Sequence, residues 1–209
     1  HHRNLLLKSF WLNRNFDKDS LEIWDEQLIK YGTLIHEARK QFVDDFKPIF
    51  QKFYTNLSNN QEQVELKYHS QLNSDSYDNL LRDNLEKDKT NHYTNFGIHK
   101  DDLVFAIDNF PMKKFGSQGQ QKTYLLALKL AQAELIKNIS KKKVIFLLDD
   151  IFDKLDGNRM KQLLAIVSSG EFGQIFITDT SLSRIPDILT QEKINFKAFK
   201  ISEGEAIDV

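Results

Sequence analysis

The chain has 209 residues, of which 40% are hydrophobic, and it contains no cysteine. A chain of this length can bury a substantial core, the lack of cysteine excludes disulfides and cysteine metal sites, and no apolar run is long enough to span a bilayer. The 29 basic and 30 acidic residues give a net charge of −1, so nucleic-acid binding would have to depend on local basic clusters.

Helical periodicity dominates the first part of the chain. Apolar residues recur at helical spacing from Ser20 to Leu57, with Ser20 as a candidate cap, and Pro48 is expected to kink or divide this helix. Its aromatic stripe lies on the apolar face, which indicates packing rather than base stacking. The stripe comprises Phe42, Phe46, Phe50, Phe53 and Tyr54. A short strand at 64–68 and a helix at 77–89 complete a predicted helical arm, residues 1–95.

The remaining residues, 96–209, are predicted to form a second domain. Residues 103–107 indicate a strand followed by a turn at Asp108-Asn109, and the tail indicates a hairpin about Glu203-Gly204. His99, Asp101 and Asp102 lie close together in sequence, but such a group is more typical of a solvated turn than of a metal site. We interpret it as structural or, in a chain that binds nucleic acid, as close to that ligand.

The segment Gly116–Gln121 predicts the start of a long helix. Ser117 and Gln120 have the spacing of a capping box, and a capped helix end attracts phosphate. Gly119 in the first turn costs the helix about 1 kcal/mol relative to alanine. That cost is explained if a ligand must approach the backbone closely. The alternative is an ordinary capped helix that tolerates a glycine.

The apolar run 144–148 ends in two adjacent carboxylates, Asp149 and Asp150. This pattern predicts a strand buried on both faces of a parallel sheet, with the acids at its carboxyl end. Adjacent acids repel each other, so they are useful only with a ligand: Asp149 with a nucleotide-bound Mg²⁺, and Asp150 with a water to be polarised. The alternative is a strand closed by a solvated acidic turn.

A second strand completes the pattern. Asp156-Gly157 predicts a turn that opens a helix, and residues 175–177 predict another buried strand that ends in polar residues. Two parallel strands joined by a helix make a βαβ unit. In this order and spacing, the elements are typical of the second half of an ABC-type ATPase domain. We therefore predict an α/β fold, a partial ABC-type P-loop head with a helical arm, in which the Gly-rich phosphate loop is missing.

Taken together, these residues resemble the bacterial RecF family of recombinational DNA repair proteins. The signature motif resembles Gly116–Thr123, and the family's acidic strand likewise ends in Asp-Asp, here Asp149-Asp150. Stretches outside the ATPase motifs are also similar. They are Arg3–Lys8, Trp24–Leu28, Tyr31-Gly32 and Gly97–Asp102. The resemblance covers nearly the whole chain and corresponds to the carboxyl-terminal portion of the family, without the Walker A lobe.

The resemblance implies a DNA-binding, ATP-switched clamp that acts on gapped DNA and stalled forks and aids recombinase loading. It further implies ATP, Mg²⁺, an ATP-dependent homodimer and the partners DNA, RecR and RecO, in the bacterial cytoplasm at the nucleoid. Asp149 would hold Mg²⁺ and Asp150 would activate water, slowly because aspartate is shorter than glutamate. The residues expected at the nucleotide or the subunit junction are Ser117, Gln118, Gly119, Gln120, Asp153, Asp156 and Asp179.

Candidate DNA contacts are Arg3, Lys8 and Lys100, whereas the lysines at 141–143 more simply keep a hydrophobic strand soluble. This chain alone is expected to be inactive, because a Walker A loop is not among its residues. Three alternatives remain open. An SMC-like chromosome-associated head would carry a longer arm. A metal-dependent nuclease that uses Asp149 and Asp150 would leave the signature helix unexplained, and an inert structural module would not bind nucleotide.

Overall fold

The computed structural model describes residues 1–149 and 155–208 and contains both helices and strands. Asp150 and Asp153 lie outside the described residues. The helices are α1 (His2–Asn13), α2 (Lys18–Leu57), α3 (Tyr77–Asp83), α4 (Leu85–Asn91), α5 (Met112–Phe115), α6 (Gln118–Ser140), α7 (Gly157–Val167) and α8 (Arg184–Gln191). The strands are β1 (Val64–His69), β2 (Asp102–Ile107), β3 (Phe110–Pro111), β4 (Phe146–Leu148), β5 (Ile175–Ile177), β6 (Phe199–Ser202) and β7 (Glu205–Asp208). Within the described ranges, no helix combines the length and apolarity needed to cross a membrane.

The chain forms two compact units. The first contains His1–Asp45 and Leu66–Phe105, and the second contains Phe46–Glu65 and Ala106–Val209. The strands form three small sheets, ordered β1-β2-β3, β4-β5 and β6-β7. The mixed α/β composition agrees with the predicted fold class. The proposed division into domains at residues 95 and 96 stays a prediction, because compactness alone does not define a functional domain.

Helix α2 is longer and less interrupted than its sequence indicates. It runs for 40 residues and continues through Pro48, so Pro48 does not divide it, and the expected kink stays a prediction. An internal proline costs a helix about 3 kcal/mol. Phe46 and Phe50 on either side of it are buried, and burial of their rings offsets that cost. Ser20 is not the cap either, because Asp17 accepts hydrogen bonds from both its backbone and its side chain.

The aromatic residues of α2 form much of the core of the second unit, as predicted. Phe50 and Tyr54 are fully buried and pack against Tyr124 of α6, with ring centroids 4.6 and 5.8 Å apart. The Tyr124 hydroxyl donates to the backbone oxygen of Glu65 at 2.8 Å. Phe42 is the exception in the stripe, since half of its surface is exposed. This packing fixes α6 against the end of α2.

The predicted strand and turn at 103–109 and the predicted hairpin in the tail are both confirmed, and the first turn also closes a hairpin. Strands β2 and β3 pair antiparallel, with Ile107 opposite Phe110, and the two turn residues Asp108 and Asn109 have φ values of 47° and 68°. Strands β6 and β7 pair about Glu203-Gly204, whose φ values are 54° and 85°. Two successive residues of positive φ match the right-handed twist of the flanking strands.

The helix predicted at 77–89 is divided into α3 and α4. Asn84 separates the two helices, and its side chain donates to the backbone oxygen of Leu80 at 2.9 Å. A short polar side chain of this type competes for backbone hydrogen bonds and so favours a helix end. The interruption is local, since α4 starts at the next residue.

The predicted strands of the βαβ unit are present and parallel, but they are shorter than expected. β4 covers only Phe146–Leu148, and β5 covers Ile175–Ile177. Phe146 and Leu148 are buried, whereas Leu147 between them is 71% exposed. The expectation that this strand is buried on both faces is therefore wrong for the described residues, because no described layer covers the second face.

Candidate functional site

Helix α6 begins with a complete capping box, as predicted. Ser117 Oγ accepts a hydrogen bond from the backbone N–H of Gln120 at 3.2 Å, and Gln120 Oε1 accepts one from the backbone N–H of Ser117 at 2.7 Å. The N–H groups of Gln118 and Gly119 belong to the first turn, where no helical carbonyl can reach them. Because Ser117 and Gln118 are exposed, this helix end presents partial positive charge to solvent.

The residue before the cap has to be glycine. A Cβ at Gly116 would lie 2.7 Å from the backbone oxygen of Met112 and 2.4 Å from its sulfur. The backbone N–H of Gly116 also donates to that Met112 oxygen at 2.9 Å, which closes α5. The chain thus passes from α5 to α6 through Gly116 and Ser117 alone, and this tight connection places Ser117 at an exposed corner.

The ends of β4 and β5 bring polar groups together. The two strands pair in parallel with Leu148 opposite Ile177, so Asp149 and Thr178 are the next residues on each strand. Thr178 Oγ1 donates to the exposed Asp149 carboxylate at 2.5 Å. One carboxylate beside a hydroxyl suits Mg²⁺, which takes few protein oxygens when it is also held by nucleotide phosphates. The described residues contain no group of three acids, histidines or cysteines that could hold a metal alone.

Asp156 opens α7, which confirms the predicted turn. Its Oδ1 accepts the backbone N–H of Arg159 at 2.9 Å, and its Oδ2 lies 3.3 Å from Arg159 Nε. The Asp156 side chain remains 60% exposed, so it is accessible to a second subunit. Its place at a subunit junction stays a prediction, and the roles assigned to Asp150 and Asp153 fall outside the described residues.

A part-buried group of side chains, which we call the Glu62 cluster, connects the starts of α6 and α7. The cluster comprises Tyr54, Glu62, Gln120, Thr123 and Arg159. Glu62 Oε1 accepts from Arg159 Nη2 at 2.6 Å and from Gln120 Nε2 at 3.2 Å, and Glu62 Oε2 accepts from the Tyr54 hydroxyl. Arg159 Nη1 donates to Thr123 Oγ1 at 2.9 Å.

The electrostatics of the Glu62 cluster favour a fixed arrangement. Glu62 and Arg159 are only 13% and 15% exposed, so water screens their attraction weakly. Burial, together with the hydrogen bond to Glu62, raises the pKa of Tyr54 far above its ordinary value of 10.0. Tyr54 therefore remains a hydrogen-bond donor at neutral pH. Sequence reasoning missed Glu62, because nothing distinguishes it from the polar residues around it.

Asp179 is committed to an internal ion pair. Both of its carboxylate oxygens accept hydrogen bonds from Arg184, with the Nε bond at 2.7 Å, and its side chain is only 6% exposed. The backbone N–H of Ser181 adds a third hydrogen bond at 3.3 Å. This placement argues against the predicted contact of Asp179 with nucleotide, because the carboxylate is nearly buried and is paired with Arg184.

The Asp179–Arg184 pair predicts an acid-sensitive contribution to stability. The Arg184 hydrogen bonds hold the pKa of Asp179 below its ordinary value of 3.8. A carboxyl group whose pKa is lower in the folded than in the unfolded state stabilises the fold. This contribution is complete at pH values above the unfolded-state pKa and is lost as the pH falls through the folded-state pKa. In urea unfolding, Asp179→Asn should lower the free energy of unfolding by about 2 kcal/mol at pH 7 and by less in acid, below the ordinary value of 3.8. Asp208→Asn, at an exposed acid, serves as the control, and an equal loss at both pH values would contradict the assignment.

Arg3 is a structural residue of the first unit. It is 3% exposed and its guanidinium bonds Asp25 at 2.5 Å, Asp88 at 2.6 Å and Thr94 at 2.9 Å. Burial raises the pKa of Asp25, and the Arg3 hydrogen bond opposes that effect. The predicted contact of Arg3 with DNA is therefore wrong, because a buried, paired guanidinium cannot reach a phosphate. Lys8 and Lys100 are exposed and stay candidates.

Replacement of Arg3 by methionine should destabilise the protein strongly. The change leaves Asp25 and Asp88 in a buried site without their cation, which typically costs about 3 to 5 kcal/mol. Arg82 provides a matched control, since it is 65% exposed and its partners, Asp78, Asp83 and Asn79, lie at the surface. Arg82→Met should change the free energy of unfolding by about 1 kcal/mol or less. Equal effects of the two substitutions in urea unfolding would contradict the structural role of Arg3.

Comparison with known proteins places these features in context. No family model matches the chain. The chain is 48% identical over 199 residues to the DNA replication and repair protein RecF of Flavobacterium johnsoniae, covering 95% of this chain and 55% of that protein. It is 39% identical to the protein of the same name from Phocaeicola vulgatus, covering 99% of this chain and 55% of the relative. The chain thus spans about half the length of the curated relatives it matches.

Solved structures also resemble this chain. One match is a structure described as the recombination mediator protein RecF-ATP in the RecFOR pathway. The match covers all of the present chain and 55% of the RecF chain, with a TM-score of 0.74 and 31% identity. A second match is a structure from a description of ATP-driven dimerization and DNA stimulated activation of SMC ATPases. It covers 83% of the present chain and 87% of the SMC chain, with a TM-score of 0.51. At 12% identity the second match shows the fold alone. Together they confirm the predicted ATPase-head fold.

Proposed function

Since the chain belongs to the RecF family of DNA replication and repair proteins, we propose that it supplies the signature-helix part of an ATP-switched DNA clamp. The observation that carries the proposal is the exposed, fully capped start of α6 at Ser117. It belongs to the same compact unit as the carboxylate Asp149 at the end of β4. A phosphate-binding helix end and a magnesium-competent carboxylate are the two features that an ATPase head of this class needs from this part of its fold.

The proposed chemistry divides between two subunits. ATP would be bound by the Walker A loop of one full-length subunit, and the α6 end of the other would close over its γ-phosphate. Ser117 would donate its hydroxyl hydrogen, Gln118 its amide, and the first-turn N–H groups would add partial positive charge. The hydroxyl of Ser117 can donate to phosphate while its oxygen continues to cap the helix, because a hydroxyl is both donor and acceptor.

The acidic residues would carry the hydrolytic step. Asp149 would hold Mg²⁺ directly or through water, with Thr178 fixing the orientation of its carboxylate. When bound, Mg²⁺ neutralises charge that develops on the phosphates. Asp150 would orient the attacking water and accept its proton. Loss of the γ-phosphate removes the contacts of Ser117 and Gln118, so hydrolysis would favour opening and release of DNA.

We propose DNA as the ligand of the ATP-bound dimer, with RecR and RecO as partners. Support comes from the relatives, one of which is described as a recombination mediator in the RecFOR pathway. Lys8 and Lys100 are the exposed residues of the sequence-based set that remain available for phosphate contacts. The likeness to an SMC ATPase extends to the fold, and the RecF relatives favour repair over chromosome organisation.

The proposed function is tested by nucleotide-dependent DNA binding. Fluorescence anisotropy with a gapped duplex should show tighter binding by the full-length protein in ATP than in ADP. The physical reason is that ATP joins two subunits, so phosphate contacts of both chains act on one DNA molecule and raise the affinity. Equal affinities in ATP and ADP at matched ionic strength would contradict the clamp.

A further inference from the structure

Glu62 lies in the connection between α2 and β1, outside every ATPase motif, yet it contacts the starts of two helices that carry such motifs. Its two oxygens accept from Arg159, Gln120 and Tyr54. All of these residues belong to the second compact unit. A part-buried carboxylate with three donors is fixed in position, because each oxygen is held by at least one hydrogen bond.

The contact with Gln120 bears directly on the capping box. Gln120 Oε1 accepts from the backbone of Ser117 at 2.7 Å, and Gln120 Nε2 donates to Glu62 at 3.2 Å. Both ends of the amide are therefore used, one by the cap and the other by Glu62. Loss of the Glu62 contact frees the amide to rotate, and rotation breaks the half of the capping box that holds the backbone of Ser117.

The contact with Arg159 extends the same hold to the Asp156 turn. Arg159 lies 3.3 Å from Asp156 Oδ2 and donates to Thr123 Oγ1, which in turn donates to the backbone oxygen of Gly119 at 2.8 Å. One arginine thus joins the cap of α7 to the first turns of α6. Glu62 balances the charge of Arg159 and so keeps the guanidinium between the two helices.

We infer that Glu62 is a positioning residue of the ATP-dependent dimer, which holds the Ser117 corner and the Asp156 turn in the arrangement that the partner's nucleotide requires. This inference rests on the proposed function. Glu62 itself touches no nucleotide in this scheme. It acts through Gln120 on the cap of α6 and through Arg159 on the cap of α7.

The test uses Glu62→Gln in the full-length protein, a change that keeps the size of the side chain and removes its charge. Binding of a fluorescent ATP analogue to single subunits should stay within about twofold of the parent. The ATP-dependent dimer should weaken roughly ten- to a hundredfold, because a hydrogen bond to a charged group typically contributes this factor. The turnover number should fall while KM for ATP is unchanged. General destabilisation of the protein would not produce this combination.

Two further variants separate positioning from stability. Glu134→Gln removes another part-buried glutamate of the same unit, which pairs with Lys52 at 3.5 Å away from the caps, and it should leave dimerisation unchanged. Gln120→Met removes the amide through which Glu62 acts on Ser117. In a double-mutant cycle on the dimerisation constant, Glu62→Gln and Gln120→Met should be less than additive, because they interrupt the same contact.

The outcomes are distinct. Parent-like dimerisation of Glu62→Gln overturns the inference, as does a loss that Glu134→Gln matches at equal melting temperature, or strict additivity in the cycle. A parent protein that fails to dimerise on ATP contradicts the proposed function instead. In that event, hydrogen exchange of the amides at 117–121, measured without nucleotide, still decides whether Glu62 holds this helix start: faster exchange in Glu62→Gln supports the hold, and unchanged exchange refutes it.

Discussion

Ser117→Arg is expected to abolish ATP-dependent dimerisation of the full-length protein while each subunit still binds ATP. Ser117 stands at an exposed corner. In the proposed dimer it would serve the nucleotide held by the other chain, so its loss would not affect the Walker A loop of its own chain. The guanidinium would collide with the facing subunit, and the hydroxyl contact with phosphate would vanish. Loss of a helix cap alone costs about 1 kcal/mol, which lowers stability slightly and does not selectively prevent a dimer.

Ser76 supplies a matched control for this experiment. It caps α3 with the same geometry, since its hydroxyl accepts the backbone N–H of Asn79 at 3.2 Å, and it is equally exposed. Ser76→Arg should lower the melting temperature by a similar amount and leave dimerisation unchanged. Analytical ultracentrifugation with and without ATP, run beside thermal melts, separates the two effects. A Ser117→Arg protein that melts like the parent and still forms the dimer would refute the role of this corner.

Asp150→Asn is expected to retain the ATP-dependent dimer and to lose turnover. The amide preserves the shape of the side chain but cannot accept the proton of the attacking water. Loss of a general base typically lowers the rate by about 10²- to 10⁴-fold. Because hydrolysis, the step proposed to open the dimer, then becomes rare, the variant should also hold DNA longer after ATP is supplied. Steady-state phosphate release and ultracentrifugation measure the two properties.

Asp149→Asn provides the comparison for Asp150→Asn. Asp149 is assigned to Mg²⁺, so its amide variant should weaken Mg²⁺-dependent ATP binding, whereas Asp150→Asn should not. The two adjacent residues are thereby distinguished by affinity rather than by rate. If Asp150→Asn hydrolysed ATP at the parent rate, another residue would have to be the base.

Local sequence patterns predicted the parts of the site that depend on neighbours in the chain. The capping box of Ser117 and Gln120 and the turn at Asp156 follow from side chains within a few residues of the backbone they bind, and both are found in the structure. The turn at 108–109 and the hairpin at 203–204 are equally local and are also found. The order of these elements also favoured the ATPase-head fold, which the solved relatives confirm.

Contacts between distant residues could not be predicted in this way. Glu62 meets Arg159 across a separation of 97 positions, and Arg3 meets Asp88 across 85. Nothing in the spacing of charges indicates such pairs, so the sequence predicts a DNA contact for Arg3, which the structure buries. The sequence likewise does not indicate that Asp179 pairs with Arg184, which is simply the first residue of α8. Pro48 does not divide α2, because burial of Phe46 and Phe50 on either side stabilises the helix.

The central claim is that Ser117 closes over ATP held by a different subunit. A photoreactive ATP analogue with the reactive group on its γ-phosphate tests it most directly, in a mixture of parent protein with a tagged variant whose Walker A loop cannot bind ATP. We predict that the tagged subunit, which cannot bind the analogue itself, is labelled within residues 116–120. Labelling confined to the untagged subunit, under conditions in which mixed dimers form, would contradict the account.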